Sequence, residues 1–68
     1  MEFNLRDHDF IALDKLLKIT GLVESGGEAH QCIDAGEVKV NGVTEFRRRN
    51  KLHSGDRVEF RGEKIEIR

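Results

Sequence analysis

Residues 25–42 read SGGEAHQCIDAGEVKVNG, and within this stretch the chain turns from helix to hairpin. Ser25 followed three residues later by Glu28 is a capping box, in which each side chain can bond the other residue's backbone N–H. Ala29, Cys32 and Ile33 then form one apolar stripe, Gln31 and Asp34 face water, and Gly36 ends the helix. From Gly36 the period becomes two, with Val38 and Val40, then Asn41-Gly42, then Val43. Asn-Gly between short β-branched runs is a strong hairpin signal, because a tight I′ turn needs positive φ at both central positions. One feature of the helix is costly. Gly26 and Gly27 occupy its first turn, although glycine inside a helix costs about 1 kcal/mol relative to alanine.

Working outward, Leu13, Leu16, Leu17 and Thr20 recur at helical spacing, with Asp14 near the amino end, where the helix dipole favours negative charge, and Gly21 as the stop. Residues 2–5 (EFNL) alternate weakly, as a short edge strand would. Residues 57–60 (RVEF) and 64–68 (KIEIR) alternate again, with Gly62 between them and the turn HSGDR before them. The expected fold is α+β, two helices packed on a small antiparallel sheet of three to five short strands. Its expected core is Leu13, Leu16, Leu17, Leu22, Ala29, Ile33, Val38, Val40, Leu52, Val58, Phe60, Ile65 and Ile67, with Cys32 as a small buried hydrophobe.

The 68 residues correspond to a single domain, 1–68, near the lower size limit for folding without staples. The one cysteine allows no intramolecular disulfide, and His8, His30, Cys32 and His53 show no metal-ligand spacing. There is no signal-peptide pattern and no run of transmembrane length, so a cytoplasmic chain without membrane contact is expected, and the lack of heptads points to a monomer. No nucleophile-elbow, phosphate-loop or paired-carboxylate pattern occurs. That leaves no catalytic residue, metal site or cofactor to nominate, and an enzyme is not expected.

The net charge of −1 hides an asymmetry. Residues 1–37 carry eight acidic and three basic side chains, residues 38–68 five acidic and nine basic, and residues 47–51 (RRRNK) hold four cations in five positions. Arginine's guanidinium fork suits phosphate oxygens, so Arg47, Arg48, Arg49 and Lys51 point to nucleic acid ahead of a merely solubilising run. Lys39 and, on one face of the first helix, Lys15 and Lys18 could extend this patch or simply be solvated. The Ser25–Gly27 start of the second helix has two readings that the residues leave open. Its free N–H groups could receive a phosphate, the glycines letting it come close, or the glycines could relieve crowding against the first helix. With no Trp or Tyr and four scattered Phe, base stacking on a sheet is not expected, and folded RNA read by phosphate position is.

The segment LDKLLKITGLVESGGEAHQCIDAGEVKVNG with the later SGD turn and RVEF strand resembles the RNA-binding domain named for ribosomal protein S-four. The matching positions are Leu13-Asp14, Ser25, Glu28-Ala29, Ile33, Gly36, Val38, Val40, Asn41-Gly42 and Gly55-Asp56, over about residues 11–60. Within it, the glycine pair and the arginine run are similar to the small stand-alone bacterial branch of the YbcJ and YaaA type. The resemblance implies an αL motif and a cytosolic RNA-binding protein whose two helices face RNA, assisted by the loop after the hairpin. Family arginines are replaced here by Ala12, Gly26 and His30, which shifts the expected affinity toward Arg47–Arg49, with His30 adding charge only when protonated. The resulting expectation is a non-catalytic protein binding structured RNA, ribosomal or tRNA-like. Its expected contacts are Lys15, Lys18, Ser25, Gly26, Gly27, His30, Lys39, Asn41, Arg47, Arg48, Arg49 and Lys51. The alternative is a protein-interaction module docking through the acidic amino-terminal half.

Overall fold

A computed structural model describes residues 1–68. The elements in chain order are β1 (Glu2–Phe3), β2 (Ile11–Ala12), α1 (Leu13–Ile19), α2 (Gly26–Asp34), β3 (Val38–Val40), β4 (Val43–Thr44), β5 (Lys51–Leu52), β6 (Arg57–Phe60) and β7 (Glu63–Ile67). Five strands form one sheet in the order β1-β7-β6-β3-β4, and β2 pairs with β5 in a separate two-stranded ladder. The helices cover one face of the larger sheet. Val38, Val58, Phe60, Ile65 and Ile67 point into that face, where they meet Leu13, Leu16 and Leu17 of α1 and Ala29, Cys32 and Ile33 of α2 in one buried cluster.

The α+β expectation holds, with one correction to the sheet. It is mixed rather than wholly antiparallel, because β1 runs parallel to β7, Glu2 beside Glu66 and Phe3 beside Ile67. The chain enters the sheet at its edge before the helices, and a parallel neighbour is what that crossover permits. Two core positions also differ. Leu22 and Val40 are half-buried, while Leu5, Ile11, Ala12 and Val23 are buried. The latter four lie in the arm, the β2–β5 ladder and the inter-helix link, where no periodicity marks them.

Both helices end as glycine chemistry dictates. At α1 the Gly21 N–H donates to Lys18 O and the Leu22 N–H to Leu17 O. At α2 the Gly36 N–H donates to Ile33 O and the Glu37 N–H to Cys32 O. This is the Schellman pattern, with Gly21 and Gly36 at φ +79° and +78°. Asn41 and Gly42 both have positive φ, as the I′ hairpin between β3 and β4 requires, and Arg61 and Gly62 repeat the device between β6 and β7.

The start of α1 is closed differently. Ala12 offers no side-chain cap. Instead the Leu13 N–H donates to Asn50 O at 2.9 Å and the Asp14 N–H to Arg48 O at 3.0 Å. A distant loop therefore supplies the acceptors that the first turn of a helix lacks.

Gly36 and the glycines that open α2 should respond oppositely to alanine. Gly36→Ala is expected to lower stability by about 1–2 kcal/mol, because its left-handed backbone penalises a Cβ. Gly26→Ala and Gly27→Ala, at ordinary helical φ with room for a methyl, should each raise it by about 0.4–1 kcal/mol. Urea denaturation of the three variants is the check.

Candidate functional site

Residues 45–50 connect β4 to β5 and lie against the start of α1 and the end of α2. The β2–β5 pairing sets Ile11 opposite Leu52 and Ala12 opposite Lys51, and the two α1 caps then fix the loop backbone at Arg48 and Asn50. An Asn50 N–H to Arg47 O bond of 3.2 Å turns the loop between them. With the backbone so held, the three arginines leave in three directions. Arg47 bends back to Glu45, its Nε donating to Oε2 at 2.9 Å and its Nη2 to Oε1 at 3.0 Å. Arg48 reaches the last residue of α2, donating from Nε to Asp34 Oδ1 at 3.0 Å and from Nη2 to Oδ2. Arg49 lies toward α1, with Nη1 3.5 Å from Asp14 Oδ2. All three remain open to solvent, at 75%, 52% and 76% side-chain exposure.

Asp14 is the hub of this arrangement. Its side chain is only 8% exposed, and burying a carboxylate is tolerable only where hydrogen bonds replace water. Oδ1 accepts from the Lys15 N–H at 2.8 Å, while Oδ2 lies 2.8 Å from His30 Nε2 of α2. One carboxylate thus ties α1, α2 and the arginine loop together. His30 is half-buried between the helices with its ring nitrogen on Asp14.

Charge pairing tunes the loop's partners. The Arg48 hydrogen bonds hold the Asp34 carboxyl below its usual value, and the Arg47 side-chain hydrogen bonds hold Glu45 below its own, while the same contacts push both guanidinium values up.

The remaining expected contacts fall in separate places. Lys15 is exposed on α1 and, with Arg49, Phe10 and Ile19, lines a groove of about 960 Å³ floored by the amino-terminal arm. Lys51 stands over the Phe10 ring, 5.0 Å from its centroid, and so borders the same groove. Lys18 is exposed in the last turn of α1. Ser25, Gly26 and Gly27 open α2 at the other end from Asp34, about 12 Å away at 1.5 Å per residue. Lys39 sits opposite Glu59, on the sheet face turned away from the helices. Asn41 is occupied within the chain, its Nδ2 donating to Asp56 Oδ1 at 3.0 Å and its Oδ1 accepting from the Arg57 N–H at 2.9 Å.

The crowding explanation for the glycines is excluded. A Cβ on Gly26 would meet nothing within 4 Å, and one on Gly27 only Ser25 Oγ at 3.8 Å. The Ser25 cap forms, with Oγ accepting from the Glu28 N–H at 3.1 Å, but Glu28 answers to the Glu24 N–H rather than to that of Ser25. Beside this helix stands a cation that sequence reasoning passed over. Arg61 approaches Glu37 at 3.3 Å and Glu28 at 3.9 Å and lies over the Phe60 ring. Its Nη2 also reaches Cys32 Sγ at 3.4 Å. Burial nevertheless pushes the Cys32 thiol up, against the lowering influence of Arg61, which leaves it a poor nucleophile. No cluster of metal-ligating side chains is present, and no helix is long and apolar enough to cross a membrane.

Two short helices packed on one face of a mixed sheet, with an arginine-rich loop pinned to the start of α1 and the end of α2, define a small α+β domain class. The S4 domain model matches residues 3–68, and the chain belongs to that family. YbcJ of Escherichia coli (strain K12), provisionally named an RNA-binding protein, is 40% identical over 65 residues, covering 96% of this chain and 93% of YbcJ. RlbA of Bacillus subtilis (strain 168), provisionally named a ribosome maturation protein, is 39% identical over 56 residues, covering 82% of this chain and 79% of its own. The solution structure of YbcJ, described as revealing an αL motif involved in RNA-binding, superposes with a TM-score of 0.74 at 39% identity. It covers 97% of this chain and 84% of the YbcJ chain.

The turn at Asp56 gives a pH test of the scaffold behind the loop. Burial raises the Asp56 carboxyl, but the His53 N–H at 2.8 Å and the Asn41 amide outweigh it and leave it below its usual value. The folded state therefore binds this proton less readily than the unfolded one. The stability so gained is present above the ordinary carboxylate range near pH 4 and lost as pH falls through the lower folded value. Urea melts between pH 7 and pH 2 should show that loss, and Asp56→Asn should flatten the acid limb.

Proposed function

We propose that this chain is a small cytoplasmic protein, one domain over residues 1–68, that binds folded RNA of ribosomal or tRNA-like kind through phosphate contacts and without catalysis. The observation that carries this reading is the arginine loop itself. Arg47, Arg48 and Arg49 are exposed, yet their backbone is fixed by hydrogen bonds to the start of α1. Arginine forks on a rigid frame suit phosphates at set positions, since little conformational freedom is lost on contact. Lys15 lines the groove beside Arg49, and Lys51 stands over Phe10 at its edge. His30 meets the Asp14 carboxylate that Arg49 approaches, and Lys18 lies one turn beyond Lys15 along α1. The opening of α2, Ser25 to Gly27, is a second foothold. Its glycine N–H groups donate no hydrogen bond within the chain, and missing side chains leave them open. Lys39 and Asn41 have weaker claims, the first lying on the opposite sheet face and the second being engaged by Asp56 and Arg57.

Membership of the S4 domain family and the RNA-binding description of the αL motif in YbcJ support RNA as the ligand. The name of RlbA supports a ribosomal source. The protein is expected to act as a monomer.

Binding to a folded ribosomal RNA fragment across a salt series tests the proposal. The wild-type chain should bind at low salt and lose affinity steeply, by about 0.9 log unit per log unit of salt for each phosphate engaged on duplex nucleic acid. Replacing Arg47, Arg48 and Arg49 together by Gln should weaken binding by about 100-fold at low salt and flatten the slope by about 3. Absence of binding to any folded RNA at low salt would favour a protein partner docking on the acidic amino-terminal half.

A further inference from the structure

The arginine loop carries its own competitors. We propose that Asp34 and Glu45 act as intrachain surrogates for phosphate, holding Arg48 and Arg47 in the fork geometry that an RNA phosphate takes over on binding. The free protein thereby sets a threshold on its own affinity. The proposal rests on the RNA-binding reading above and concerns how the same site is regulated.

The geometry supports exchange between like ligands. A carboxylate and a phosphate both accept two parallel N–H bonds from one guanidinium. Arg47 gives two such bonds to Glu45, at 2.9 and 3.0 Å, and Arg48 gives two to Asp34. Arg49 is held differently, by a single contact at 3.5 Å. Within the loop's reach, three arginines face the carboxylates Asp14, Asp34 and Glu45. The loop therefore has little standing positive field despite its composition, and its affinity must come from displacing these partners.

The three pairs differ in what displacement leaves behind. If Arg49 departs, Asp14 keeps His30 and the Lys15 N–H. If Arg48 departs, Asp34, nearly half exposed, is rehydrated. If Arg47 departs, Glu45 is mostly covered and keeps only backbone N–H partners, from Arg47 at 2.9 Å and from Phe46. Phosphates therefore engage Arg49 first, Arg48 next and Arg47 last.

Binding of a folded ribosomal RNA fragment is measured at low salt for the wild-type chain and for Asp34→Asn, Glu45→Gln and Glu63→Gln. Glu63 makes no ion pair and lies on β7, three strands from β4, or about 14 Å at 4.8 Å per strand. The expected result is that Asp34→Asn and Glu45→Gln each bind about two- to five-fold tighter, while Glu63→Gln matches wild type. Binding that appears only in the first two variants would support the proposal as well. Equal affinity in all four proteins, or equal tightening by Glu63→Gln, overturns it and leaves the RNA reading standing. No binding by any of the four overturns both.

Discussion

The two hydrogen bonds from the Leu13 and Asp14 N–H groups to the carbonyls of Asn50 and Arg48 fix both the first helix and the basic loop. A helix start needs acceptors, and Ala12 has none to give. A loop between two-residue strands needs anchors, and it has few of its own. Each deficit meets the other. Asp14 then adds a buried carboxylate at the junction, reaching His30 across the helix pair and Arg49 above it. Removing that carboxylate would leave three groups from three segments without their shared partner.

From this junction the molecule divides into a frame and a surface. The frame is the sheet with its two I′ turns, the Schellman ends of the helices and the Asn41–Asp56 bridge, local turns and caps joined by a few contacts between distant segments. The surface is the side of α1, the loop and the groove beside Phe10. Its cations are not a uniform patch. Arg49, Lys15 and Lys51 gather on the groove side, Arg48 turns to the end of α2, and Arg47 folds back on its own strand. A sequence run that looks like one block of charge is distributed by the fold over a broad rim.

Local signals were legible in the sequence. Gly21 and Gly36 after their stripes and Asn41-Gly42 between valines each act within a few residues and take their expected places. Ser25 caps the second helix as expected, but Glu28 turns to the Glu24 N–H, so only half of the capping box forms. What escaped is long-range. Nothing near Leu13 announces that its cap is Asn50, and nothing in EFNL says that its neighbour is a parallel β7. The arginine run was visible, but its carboxylate partners were not, because Asp34 and Glu45 read as solvated acids until the chain folds. Arg61 was missed because it sits in a hairpin turn and gains its meaning only beside α2. The glycine pair shows the reverse: the residues left two explanations open, and the empty space around Gly26 removed one.

The borrowed cap also has a temporal side. α1 is seven residues long, too short to persist in water without support, and that support comes from a segment synthesised after α2 and the β3–β4 hairpin. Its first turn is complete only once that later segment has closed back on it, a contact of high sequence separation that carries a loop-closure cost. The helix and the arginine loop should therefore mature in one cooperative step late in folding. A nascent or partly unfolded chain would then lack the assembled surface altogether, which separates having the charges from presenting them.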